Sequence, residues 1–180
     1  MEELLKMQKL YKKACGMKSD INEHLPVLKE YSEKVKHVTE FGVRDGYSTV
    51  ALASGKPEKM ISYDIQEIPI VVLNTISKEI NYKFILQNTL DADLEETDLL
   101  FIDDKHTYDH VKQELLLHSK KVKKYIIFHD TERFDHSGEK GGDKGLIDVL
   151  DEFLENGKWG IERIYRNNNG LTIIKRIKDE

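Results

Sequence analysis

A single cysteine, Cys15, removes any intramolecular disulfide framework and any zinc site built from cysteines. A basic excess is missing too: 28 Lys+Arg face 33 Asp+Glu, a formal charge of −5, so no nucleic-acid partner is expected. No apolar run approaches the roughly 20 residues needed to cross a bilayer, and no membrane segment is expected. The first dozen residues carry Glu2, Glu3, Lys6, Lys9, Lys12 and Lys13, which leaves no place for an apolar signal-peptide core. There is no internal repeat, no low-complexity linker and no sign of a second domain. What is there is a chain of 180 residues, 39% hydrophobic and 34% charged, polar without being compositionally disordered. That length suits one domain, 1–180, with a proper core, and the expected location is cytoplasmic.

Residues 1 to about 35 read as a helical extension. Leu4, Leu5, Leu10 and Tyr11, then Leu25, Leu28, Tyr31 and Val35, recur at three- and four-residue spacings between charges. Gly16 with Ser19 and Asp20 marks a break between two helices. From 36 to 180 the rhythm changes to short apolar runs, at 37–41, 60–65, 82–87, 99–102 and 125–128, separated by helical patterns at 48–54, 70–80, 108–118 and 146–155. This alternation predicts an α/β core, a parallel sheet with helices on both faces. The tail differs: 161–166 and 171–177 flank Asn167-Asn168-Asn169-Gly170, whose Asn-Gly suits a tight hairpin, so an antiparallel pair should finish the sheet. The long irregular stretch 131–144 is of the kind that is functional or mobile.

In open parallel sheets, ligands bind outside the carboxyl ends of the strands. After the first strand comes Glu40-Phe41-Gly42-Val43-Arg44-Asp45-Gly46-Tyr47-Ser48. Gly42 and Gly46 permit a tight turn and a close backbone approach to a ligand, but an NAD-type fingerprint would need a further glycine. Asp64 ends the second strand 22 residues beyond Gly42, where nucleotide-binding folds place an acid on ribose hydroxyls. The two features together favour an adenosine-containing ligand.

The fourth strand runs into Asp103-Asp104-Lys105-His106, and the fifth ends in His129-Asp130-Thr131. Adjacent parallel strands lie about 4.8 Å apart, so Asp103 and Asp130 can converge on one ion. Carboxylate oxygens suit Mg²⁺, Mn²⁺ or Ca²⁺, and an added imidazole admits Mn²⁺, Fe²⁺ or Zn²⁺. His106 is placed to act as a base near neutral pH. His110 and His118 are expected on the surface of the following helix, and His24, His37 and His136 have no evident partner. Lys120, Lys121, Lys123 and Lys124 read as a solvated edge rather than a polyanion site.

The Glu-x-Gly-x-x-x-Gly-x-Ser turn and the acid ending the second strand resemble those of class I S-adenosylmethionine-dependent methyltransferases. Phe101-Ile102-Asp103-x-x-His106-x-Tyr108, His129-Asp130-Thr131 and the helix from Gly145 to Phe153 resemble the group of cephalosporin hydroxylase-like proteins and macrolide-sugar O-methyltransferases. The likeness spans roughly residues 36–177. It implies a Rossmann-like, mostly parallel seven-stranded sheet with a C-terminal antiparallel hairpin. It also implies S-adenosylmethionine as cofactor and a divalent cation, Mg²⁺ or Mn²⁺. The cation would sit on Asp103 and Asp130. His129 stands where relatives often have a carboxylate, with Thr131 the other candidate for third ligand. Asp104 replaces a common glycine, and the usual Pro-Gly-Gly before the fifth strand is absent.

On this reading Glu40, Phe41, Gly42, Gly46 and Ser48 surround the methionine moiety, Asp64 holds the ribose, and Asn88 and Thr89 lie near the adenine. Asp103 serves both cofactor and cation, and His106 takes the proton from an acceptor hydroxyl on a sugar or another small polar molecule. The loop 131–144 and the N-terminal helices would roof the substrate, and apolar residues on those helices would also suit a homodimer. The rival readings are an NAD-type oxidoreductase or epimerase, a non-catalytic nucleoside-binding partner subunit, and methylation of RNA or protein.

Overall fold

The computed structural model describes residues 2–139, 141–142 and 144–178. Met1, the last two residues, and Lys140 and Asp143 of the irregular stretch lie outside the described residues.

Two helices, α1 (Glu2–Gly16) and α2 (Leu25–Ser32), precede an alternating core. The core runs β1 (His37–Phe41), α3 (Tyr47–Ser54), β2 (Lys59–Asp64), α4 (Ile70–Ile76) and β3 (Asn81–Leu86), and then β4 (Thr97–Ile102), α5 (Tyr108–His118) and β5 (Val122–His129). After α6 (Leu146–Leu154) come β6 (Trp159–Tyr165) and β7 (Leu171–Arg176). The strands form one seven-stranded sheet in the order β3-β2-β1-β4-β5-β7-β6. Strands β1 to β5 are parallel, and β7 inserts antiparallel between β5 and β6. The hairpin turn rests on left-handed backbone at Asn168, Asn169 and Gly170 (φ 46°, 71° and 92°).

Strand alternation divides the core in two. Leu99 and Phe101 of β4 pack with Met7, Leu25, Leu28, Leu52 and Ile76, which places α1 to α4 on one face. Leu100 and Ile102 pack with Val111, Leu115, Val149 and Leu150, which places α5 and α6 on the other. Both faces of the parallel strands are therefore covered, as their continuous apolar runs require. The α6 helix is started by Asp148, whose carboxylate accepts a hydrogen bond from the Gly145 amide at 2.7 Å.

Several details depart from the sequence pattern. The 70–80 periodicity yields a helix only to Ile76, although the Ile80 amide still reaches the Ile76 carbonyl at 3.1 Å. His118 is buried, not on the surface: its ring meets Phe41 edge-on at 5.3 Å and its Nε2 bonds the Thr89 carbonyl at 2.9 Å. His24 is buried as well, edge-on to His129 at 5.5 Å. Lys121, Lys123 and Lys124 pair with Asp93, Glu96 and Asp98, which fits a solvated edge. No helix among the described residues is long and apolar enough to cross a membrane.

Candidate active site

Strand order reverses between β1 and β4, and their carboxyl ends open a cavity of about 700 Å³. Gly42, Ser48, Asp64, Asn88, Thr89 and Asp103 line it, as do His106 and Asp130. Glu40, Phe41 and Gly46 are not among its lining residues. Glu40 is fully buried and accepts hydrogen bonds from Ser48 Oγ at 2.7 Å and Ser62 Oγ at 2.5 Å. Burial pushes its carboxyl up to about 7 despite those hydroxyls.

The turn after β1 is built to come close to β4. Gly42 has φ +83°, and a Cβ there would lie 2.2 Å from the Asp103 carbonyl oxygen. Asp64 at the end of β2 fastens the same turn: its Oδ2 accepts the amides of Val43 at 2.7 Å and Arg44 at 3.0 Å, and its Oδ1 accepts the Gln66 amide at 2.9 Å. Oδ2 thus has both its lone pairs taken, whereas Oδ1 has room for a further donor. Arg44 then clamps the segment between α1 and α2 through two hydrogen bonds to Asp20, at 3.0 and 2.8 Å. That segment brings Ile21 to the cavity wall.

At the ends of β4 and β5, two carboxylates and two imidazoles converge. His106 Nε2 lies 3.3 Å from Asp103 Oδ1 and 3.4 Å from Asp130 Oδ2, and its ring stacks on Phe134 at 4.9 Å. His129, almost wholly buried, has Nδ1 3.0 Å from Asp103 Oδ1 and Nε2 3.2 Å from the Asp20 carbonyl. Because a carbonyl only accepts, Nε2 carries a hydrogen, and a neutral His129 would then aim its Nδ1 lone pair at a carboxylate. Either a proton or a cation must lie between them. Burial pushes the Asp103 carboxyl up, but the charge of His129 and hydrogen bonds from His106 and His129 outweigh it and hold it down at about 2. Burial would lower His106, whereas its hydrogen bond to Asp103 and the charges of Asp103 and Asp130 raise it.

This donor set fits a divalent cation. Ligand atoms of Asp103, His129 and Asp130 lie within 4.8 Å of one another, and Asp130 Oδ1 is buried with no hydrogen-bond partner. Thr131 is turned away, its hydroxyl accepting from Thr172 of β7 at 3.0 Å. The irregular stretch contributes Glu139 to the cavity wall, its amide bonded to the His106 carbonyl at 2.8 Å. Sequence reasoning missed Asp20, which links the glycine turn to His129. Its only signal was a polar residue at a helix break.

No protein-family model matches the chain, and no curated protein matches it. Solved structures do. The S-adenosylhomocysteine-bound methyltransferase PaMTH1 of Podospora anserina is 15% identical, with a TM-score of 0.64 over 99% of this chain and 89% of that one. The N-methyltransferase NodS of Bradyrhizobium japonicum WM9, in complex with S-adenosyl-L-homocysteine, is 12% identical, with a TM-score of 0.66 over 95% of this chain and 98% of that one. A putative caffeoyl-CoA O-methyltransferase of Staphylococcus aureus is 14% identical, with a TM-score of 0.63 over 86% and 83% of the two chains. The chain has the fold of the class I S-adenosylmethionine-dependent methyltransferases.

Proposed function

We propose that the protein is an S-adenosylmethionine-dependent O-methyltransferase acting on a hydroxyl of a sugar or similar small polar acceptor, with a divalent cation on Asp103, His129 and Asp130. One observation carries the reading: a single cavity joins the glycine turn and Asp64 to the Asp103–His106–Asp130 cluster. The bound forms of PaMTH1 and NodS support the choice of cofactor.

Asp64 Oδ1 would accept a hydrogen bond from a ribose hydroxyl, and Gly42 would leave space for the methionine end. Asn88 and Thr89, also on the cavity wall, would lie against the adenine base. S-Adenosylmethionine supplies a methyl group already activated on a sulfonium, so the protein's work is alignment and exclusion of water. A divalent cation in the acidic cluster would make a chelated hydroxyl more acidic and offset the carboxylate charge that raises His106. His106 then takes the hydroxyl proton, and the acceptor oxygen gains the methyl group as the carbon–sulfur bond breaks.

Oxygen is favoured over nitrogen as the acceptor atom because a neutral amine attacks without prior loss of a proton. A hydroxyl needs a base, and His106 beside two carboxylates supplies one. The test is transfer of labelled methyl from S-adenosylmethionine to a panel of sugars and polyols, with amine analogues alongside. Label on hydroxyl acceptors supports the reading, and label confined to amines refutes it.

A further inference from the structure

A second acid–imidazole cluster lies beside the first. Asp103 and Asp104 are consecutive at a strand end, so their side chains leave in different directions. Asp103 meets His106 and His129, whereas Asp104 meets His110 at 3.0 Å and Thr89 at 3.1 Å. His110 and Glu114 are one turn apart on α5 and so share a face of that helix. Ligand atoms of Asp104, His110 and Glu114 all lie within 4.8 Å of one another.

The cluster is short of hydrogens. The Thr89 hydroxyl and the His110 ring nitrogen both reach Asp104 Oδ2. Asp104 Oδ1 and both oxygens of Glu114 are buried without a hydrogen-bond partner. Glu114 is 0% exposed and stands in the buried stripe of α5 with Val111, Leu115 and His118; its Oε1 faces His110 Nε2 at 3.4 Å, a nitrogen that Asp104 already shares. Burying two carboxylates beside one imidazole is costly unless a proton or a cation is brought to them. A divalent cation balances both charges and gives the orphaned oxygens a partner.

We propose that Asp104, His110 and Glu114 hold a second divalent cation, of the kind that takes an imidazole nitrogen together with carboxylate oxygens, Zn²⁺ or Mn²⁺. Asp104, His110 and Thr89 line the large cavity and Glu114 lies behind them, so the ion enters through the cavity and sits under its floor. There it ties α5 to the end of β4, stiffening the wall that faces a bound ligand. The inference does not depend on what that ligand is.

The test compares bound zinc per chain after chelator treatment and equilibration with Zn²⁺. Glu114→Gln and His110→Gln are each expected to hold one zinc fewer than the wild type. If Glu114→Gln does not fold, His110→Gln, altered at the cavity edge, carries the comparison. Zinc-edge anomalous scattering from soaked wild-type crystals should place an ion among the three side chains. Wild-type zinc content in the folded variants, or no anomalous peak at that position, overturns the proposal.

Discussion

His106 directs its Nε2 at Asp103 Oδ1 across 3.3 Å, with Asp130 Oδ2 only 3.4 Å from the same nitrogen. With a cation on those carboxylates, that nitrogen no longer has to donate to them and can take a proton. His106→Ala should lower methyl transfer by about 10²–10⁴-fold, the usual worth of a positioned general base. Calorimetry should still show S-adenosylhomocysteine binding, because Asp64 and the glycine turn are untouched. Turnover retained in His106→Ala removes its role as base.

The carboxylates make a separate prediction. Chelation with EDTA should stop methyl transfer, and added Mg²⁺ or Mn²⁺ should restore it. Asp103→Asn should abolish activity and stay inactive at high metal concentration, since the amide lacks the negative charge that draws a divalent cation. Rates indifferent to both treatments describe a metal-free enzyme.

The close approach of β1's turn to β4 is open to test with one methyl group. In Gly42→Ala the new Cβ meets the Asp103 carbonyl oxygen at 2.2 Å and the backbone keeps φ +83°. Stability should fall by more than about 2 kcal/mol, and cofactor affinity with it. Gly157→Ala is the control, because its φ is +64° with nothing within 4 Å. It should cost only about 1 kcal/mol, the left-handed penalty alone. Equal losses in thermal melts of the two variants would contradict the role given to Gly42.

Strand ends were legible because apolar runs and turn residues are local signals. That is why Gly42, Asp64, Asp103, His106 and Asp130 could be named from the sequence and then meet in one cavity. His24 and His118 were not legible, since polar–apolar periodicity counts an imidazole as polar. Only tertiary packing supplies the ring edges of His129 and Phe41 that make those sites hospitable. The Asp104 cluster did leave a trace: Glu114 falls in the apolar stripe of α5, four residues after His110. Asp20 left none beyond its helix break, because its partners Arg44 and His129 are 24 and 109 residues away.

Glu40 predicts a pH dependence. Its carboxyl is raised from 4.5 to about 7 by burial, so folding favours the neutral form. The corresponding stability is fully present below the unfolded value and is lost as pH rises through the folded one. Relative to Glu40→Gln, the wild type should therefore lose about 3 kcal/mol between pH 4.5 and pH 8. Denaturant melts of both proteins at the two pH values measure this. A gap that does not change with pH places the ionised carboxylate comfortably in the native core.

The central claim is that the cavity binds the methionine-bearing nucleoside, and calorimetric titration of the wild-type chain tests it most directly. S-Adenosylhomocysteine should bind one per chain, with affinity reduced at least about tenfold in Asp64→Ala, the scale of a lost charge-assisted hydrogen bond. NAD should give no comparable heat, because the turn from Gly42 to Gly46 lacks the third glycine of a pyrophosphate cradle. Tight binding of NAD, with no signal from S-adenosylhomocysteine, would contradict the account.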